Sequence, residues 1–159
     1  MKCLSLWQPW ATLIAVGAKK IETRSWKPPM ERGVVMPLAI HAAKKWDHDL
    51  RAMCGTEPFR SILGLNWSGS TFNKDGHAWV MPLGSIVAVA DLVGWMTTEQ
   101  CVRGTGTLAP ISEQERAFGD YSVGRFGWLL ANVRRLPEPI PYRGAQGLFD
   151  IPDSLIPPR

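Results

Sequence analysis

The alternation of apolar and polar positions divides the chain into short segments. "KCLSLW", residues 2–7, predicts a first strand, and "QPWATLIAVG" predicts a helix with Trp10, Leu13 and Ile14 on one face. Pro9 fits the first helical turn, where its missing N–H costs nothing, and Gly17 supplies the C-terminal stop. "KKIETRSW" returns to a period of two and predicts a second strand. "VVMPLAIHA" reads as a further strand, with Pro37 arguing against a central position at its start. "KKWDHDLRAMC" carries helical spacing at Trp46, Leu50 and Met53, with Lys44 and Lys45 at the start of the helix. From 55 to 83 the periodicity fades, and "GLNWSGSTFNKDGHAWVMPLG" predicts a long loop that carries His77 on the surface.

"SIVAVADLVGWM" is the strongest strand signal and predicts a buried central strand. "TTEQCVRG" predicts a short helix capped by Thr97 or Thr98. Ser112 and Glu115 have the spacing of a capping box, before a helical turn that ends near Gly119. "GWLLANVRRL" predicts another strand. "PEPIPYRGAQGLFDIP" predicts turns and a short strand near 147–151. There is no internal repeat, low-complexity tract or linker, so residues 1–159 form one domain. Five or six short strands with two or three helices, and more hairpins than βαβ units, predict an α+β, mainly β fold. The architecture expected is a small, partly open β-barrel with flanking helices.

Composition narrows the partners. The chain has 159 residues, 45% hydrophobic and 20% charged, which suits a folded domain with its own core and excludes wholesale disorder. A net charge of +4 fits a polyanion partner, although many proteins that bind none share it. Eight tryptophans against two tyrosines exceed what a core of this size needs, and tryptophan also stacks on nucleobases. Cys3, Cys54 and Cys101 are odd in number and widely spaced, which predicts free buried thiols. The apolar start is broken by Gln8 and Pro9 and followed by Lys19 and Lys20, unlike a signal peptide, and no apolar run is long enough to span a bilayer. These features predict a cytoplasmic protein without a membrane partner.

Within "KKIETRSW", alternation puts Lys20, Glu22, Arg24 and Trp26 on one face. If that face turns inward, its charges persist only when paired with each other or with a ligand. Arg24 then supplies a planar fork for a phosphate or a base edge. Lys19, just after the turn, supplies a phosphate contact or, if desolvated, a base or nucleophile. Glu22 holds the two cations or accepts from a base amino group, and Trp10 or Trp26 stacks on a base. The same row also reads as an ion-pair ladder guarding an edge strand.

The spacing Gly17, Lys19, Glu22, Arg24, with "SLWQPWA", "LAIHAAK", "GSIVAVADLV", "FGDYSVGRFGW" and "PIPYRGAQGLF" in order around it, resembles the ASCH domain proteins of the PUA-like superfamily. The resemblance implies a PUA-like barrel with a cleft beside the motif and a link to RNA or modified nucleosides. Such proteins include RNA-binding modules, ribonucleases and an amidohydrolase acting on acetylated cytidine. The amidohydrolase uses a Lys, a Thr three residues on and a distant Glu. Lys19 matches the first, Glu113 or Glu115 stands for the last, but position 22 is Glu, and Thr23 belongs to the other face. A ribonuclease would draw charge from Lys19, Arg24 and Lys44 and proton transfer from His41, which also reads as a core histidine. Asp47, His48 and Asp49 are consecutive and splay around a helix, so they predict a solvated face. No His-x-x-x-His or paired acidic cluster appears, so no metal or other cofactor is expected; a nuclease would admit a divalent ion.

The expected activity is binding of single-stranded RNA or a nucleotide in a charged cleft, with a hydrolase or a protein-interaction module as alternatives. The ligand-binding candidates are Gln8, Trp10, Arg24, Trp26, His41, Lys44, Lys45, Tyr121 and Arg125, with Tyr121 and Arg125 as an opposite lip. Lys19 and Glu22 are the catalytic candidates if the protein is an enzyme.

Overall fold

The computed structural model describes residues 1–64, 71–72, 78–79 and 81–158. The elements run β1 (Lys2–Leu6), α1 (Trp10–Ala15), β2 (Ile21–Arg24), β3 (Met36–Ala42), α2 (His48–Cys54) and α3 (Phe59–Leu63). They continue with β4 (Thr71–Phe72), β5 (Ala78–Trp79), β6 (Ser85–Thr97), α4 (Thr98–Arg103), α5 (Glu113–Ala117), β7 (Phe126–Pro141) and β8 (Leu148–Asp150). One 3₁₀ turn, Asp153–Leu155, follows. The long loop expected around 64–84 lies largely outside the described residues, and His77 wholly so.

Six strands form one sheet in the order β2-β7-β6-β3-β1-β8; only β1 and β3 pair in parallel. β6 and β7 are long, and their pairing shifts register three times. Each shift adds bend and twist, so the sheet curls into a half-barrel rather than lying open. The expected small barrel of five to six strands with flanking helices is therefore present as a curled six-stranded sheet. β6 lies between β3 and β7, and its first six residues are all buried, as its uninterrupted apolar run predicts.

The hollow of the sheet is filled by α1. Ala11, Thr12, Leu13, Ile14 and Ala15 are all buried, so this helix is apolar all round and packs against β1, β3, β6 and β7. It ends in a left-handed glycine: Gly17 has φ +77°, its N–H reaches Ile14 O, and Ala18 N–H reaches Leu13 O. That stop turns the chain sharply into Lys19 and β2. Leu4, Leu38, Ile40, Leu92 and Trp128 complete this core, while Cys3, Ile86, Leu136 and Ile151 pack on the other side of the sheet.

As Pro37 predicts, the start of β3 is not central: β1 begins opposite Leu38, so no neighbour on that side misses the proline N–H, and β3 is an interior strand only from there on. One expectation about prolines needs correction. β7 continues through Pro137 and Pro139, which were expected in turns. There it has lost its β2 neighbour and is crossing a register shift against β6. The second helix also starts later than its apolar spacing suggests. Asp47 caps it by accepting from Leu50 N–H at 3.1 Å, so Lys44 and Lys45 precede the helix rather than open it. His48 and Asp49 beyond the cap are exposed, as expected.

Thr97 and Gln100 form a reciprocal capping box on α4. The second predicted box is only half made. Ser112 Oγ accepts from Glu115 N–H, but the Glu115 carboxylate turns away from its own helix. It accepts from Lys20 N–H at 2.9 Å and Ile21 N–H at 3.0 Å, pinning the start of β2. Glu115→Ala leaves these two part-buried amides without an acceptor and should cost about 1–3 kcal/mol, read as a lower urea midpoint at unchanged slope.

Candidate functional site

β2 carries the charged row into the half-barrel. Lys19 is fully buried, and its Nζ donates to Ile21 O at 2.6 Å and Phe118 O at 2.8 Å. Glu22 lies beside it, with Oε2 3.5 Å from Lys19 Nζ and Oε1 3.1 Å from Arg24 Nε. The second contact is an ion pair without a directed hydrogen bond, since Arg24 Nε has no acceptor in line. Arg24 Nη2 donates instead to Ser5 O at 3.2 Å. β2 and β1 are separated by three strands in the sheet, so this bond spans the mouth of the curl.

Two cavities open at this point. The first, about 440 Å³, lies between the end of β1, β2 and the 117–120 loop, bordered by Trp7, Trp10, Glu22, Thr23, Arg24 and Arg125 among others. Its charges nearly balance, because Asp120 and Glu22 face Arg125 and Arg24. The second, about 1070 Å³, runs along His41, Lys44 and the 141–147 loop. Among the described residues its ionised side chains are Arg24, Lys44 and Arg143, and no carboxylate borders it. Ser5, Trp7 and Arg24 border both cavities, so the two form one groove with Arg24 at the junction.

The sequence model of the ASCH domain matches residues 4–139. The chain belongs to the ASCH domain family. That family comprises PUA-like RNA-binding domains. Among solved structures the fold resembles ASCH from Zymomonas mobilis, with a TM-score of 0.52 and 17% identity over 97% of this chain and 89% of that one. Two mutants of the same Zymomonas mobilis protein give TM-scores of 0.51 at 17% and 18% identity, covering 97% of this chain and 91% and 89% of theirs.

In this ASCH domain the predicted residues separate clearly. Trp10, Glu22, Arg24 and Arg125 border the first cavity, and His41, Lys44 and again Arg24 border the second. Arg125 also ties the opposite lip to β2, donating through Nη2 to Thr23 O at 3.3 Å. Lys45 reaches the groove only indirectly, its ammonium 3.7 Å above the Trp7 ring.

Lys45 and four further candidates border neither cavity. Gln8 is buried, with its amide spent on Pro82 O and Thr12 N–H. Trp26 lies beyond the end of β2 and packs edge-on against Trp128 at 4.7 Å. Tyr121 is part-buried, and its phenol is held protonated by burial and then by the nearby Glu115. Lys19 is fully buried, its amine bonded to the Ile21 and Phe118 carbonyls and paired with Glu22. Glu115, a stand-in for the distant amidohydrolase carboxylate, holds backbone amides instead. Among the described residues no group of three His, Cys, Asp or Glu side chains converges as a metal site would, and no helix is long and apolar enough to cross a membrane.

Two groove residues escaped the sequence reading. Trp7 is 49% exposed, and both it and Ser5 border the two cavities. Their signal was parity: residues 5 and 7 alternate with Leu4 and Leu6, which fill the core.

His41 is nearly buried between β1 and the 141–147 loop, which lowers its pKa below the ordinary 6.5 through loss of hydration. The folded protein thus resists a proton that the unfolded chain accepts. The stabilisation from neutral His41 is complete above about pH 6.5 and is lost as pH falls toward the depressed folded value. Urea midpoints at about pH 7.5 and 5.5 should differ more for the wild type than for His41→Gln.

Proposed function

We propose that this ASCH domain binds single-stranded RNA, or a nucleotide unit of it, along the groove divided by Arg24. The first cavity takes a base and the second takes the phosphates that follow. The carrying observation is the change of charge at Arg24: the Glu22 and Asp120 carboxylates beside Trp7 and Trp10 on one side, and on the other, among the described residues, cations without a carboxylate. Trp7 and Trp10 offer apolar ring surface for stacking, which tolerates any base. Glu22 is an acceptor for base amino groups. Arg24, Lys44 and Arg143 give a polyanion a continuous favourable potential.

This reading uses Glu22 as an anchor and acceptor rather than as a reacting group. It also explains why an arginine stands at the junction. A guanidinium bonded to Ser5 O and paired with Glu22 still has N–H groups left for a phosphate, in a plane fixed by both partners.

The test is fluorescence anisotropy with a labelled single-stranded RNA of about ten nucleotides across a salt series. Wild-type affinity should fall linearly on logarithmic axes as salt rises. Arg24→Ala should weaken binding by about 10–100-fold and reduce the salt slope by roughly 0.7. Absence of association at low salt, or an unchanged Arg24→Ala variant, contradicts the reading.

A further inference from the structure

We propose that the groove selects guanine: the Glu22 carboxylate reads the Watson–Crick edge of a base held in the first cavity, and of the RNA bases guanine alone offers it two adjacent donors. The proposal rests on the nucleotide reading of the groove and names the base that the first cavity takes.

Glu22 is a buried acceptor that the fold leaves short of donors. Its side chain is 9% exposed and borders the first cavity. Among the described residues no directed hydrogen bond is donated to it. Lys19 Nζ stands 3.5 Å from Oε2 but gives its hydrogen bonds to the Ile21 and Phe118 carbonyls. Arg24 Nε stands 3.1 Å from Oε1 with no acceptor in line, while Nη2 donates to Ser5 O. The two ion pairs thus hold the carboxylate in place and leave its lone pairs open. The other carboxylate on this cavity is already engaged: Asp120 accepts from the amide and the hydroxyl of Ser122 and pairs with Arg125. Thr23 Oγ1 likewise accepts from Asp120 N–H. A nearly buried carboxylate costs free energy unless donors reach it, and the cavity is the side from which a ligand can bring them.

Base chemistry then decides the occupant. The paired oxygens of a carboxylate accept two parallel N–H donors. Guanine presents N1–H and the N2 amino group side by side. Adenine and cytosine each present one amino group beside a ring nitrogen, whose lone pair would face a carboxylate oxygen. Uracil presents one N–H between two carbonyl oxygens.

The flanking cations fix the orientation. Lys19 has no exposed surface, whereas the Arg24 side chain is 26% exposed and borders the cavity. Guanine O6 adjoins N1–H and therefore lies on the Arg24 side, so Oε1 accepts from N1–H and Oε2 from the amino group. Arg24 and Glu22 together present donor, acceptor, acceptor, the same order as the pairing edge of cytosine. The Nη hydrogens not given to Ser5 O serve O6 on one side and a phosphate on the other. Both side chains leave one face of β2, which is held in regular pairing by β7 through Glu22↔Trp128 and Arg24↔Phe126. The cavity, about 440 Å³, lies within the range of about 300–1,000 Å³ usual for small-molecule sites, and Trp7 and Trp10 border it as surfaces for the flat faces of the ring.

The experiment measures, by fluorescence anisotropy at low salt, the affinity of the full chain for labelled oligomers of about ten uridines whose central base is guanine, hypoxanthine, adenine, cytosine or uracil. Hypoxanthine keeps O6 and N1–H and lacks only the N2 amino group. The guanine oligomer should bind about 10–100-fold more tightly than the adenine, cytosine and uracil oligomers. The hypoxanthine oligomer should bind about tenfold more weakly than the guanine one, because one donor to a buried carboxylate is lost. Glu22→Gln replaces an acceptor by a donor and should bring the guanine and uracil oligomers within about twofold, both still bound through the cations of the second cavity. That variant also removes the charge paired with buried Lys19; if it does not fold, the hypoxanthine arm reads the same contact in the wild-type protein. Equal binding of all five oligomers, or a preference for adenine, cytosine or uracil, overturns the guanine proposal and leaves the binding reading standing. Guanine and hypoxanthine bound equally, or a guanine preference that survives in folded Glu22→Gln, also overturns it. No binding of any oligomer overturns both readings.

Discussion

A buried ammonium group organises this protein. Lys19 has no exposed surface, so its charge must be met inside the fold by two carbonyls and one carboxylate. An ammonium in that position without partners would cost several kcal/mol. The requirement draws Glu22 inward and draws the Phe118 carbonyl of the 117–120 loop against β2. Strand geometry then does the rest. Arg24 shares the face of Glu22, pairs with its other oxygen, and is left pointing at the mouth of the half-barrel. One sealed charge thus aims a second, accessible one.

The curl of the sheet gives that aim its consequence. In a flat sheet β2 and β1 would stand three strands apart. The register shifts of β6 and β7 bend the sheet until Arg24 reaches the backbone of Ser5. The groove forms where these two ends approach, which is why Ser5, Trp7 and Arg24 border both of its parts. Glu115 steadies the same region from outside by capping the first amides of β2 rather than its own helix. Folding energy and site geometry are therefore spent on the same short segment, Lys19 to Arg24.

Much of this was legible in the sequence. The alternation in "KKIETRSW" placed Glu22 and Arg24 together, Gly17 ended α1, and the apolar run after Gly84 marked the central strand. The spacing of Gly17, Lys19, Glu22 and Arg24 carried the family. What was hidden depends on distant parts of the chain. Whether Lys19 faces a ligand or the core is decided by the Phe118 carbonyl, ninety-nine residues away. Trp26 reads as a continuation of the row, but β2 ends at Arg24 and the ring falls onto Trp128. Gln8 and Tyr121 are polar types that the fold uses internally. Ser5 looked unremarkable until the parallel register set it against His41. Pro137 and Pro139 suggested turns because sequence does not reveal where β7 loses its β2 neighbour.

The central claim is that the charged row opens onto a groove that receives a nucleotide, with Arg24 at its junction. A crystal structure of the protein with a short, non-cleavable ribodinucleotide tests it most directly. The account predicts a phosphate oxygen within hydrogen-bond distance of the Arg24 guanidinium and a base against Trp7 or Trp10. A dinucleotide bound on another face, with Arg24 still paired only to Glu22 and Ser5, would contradict it.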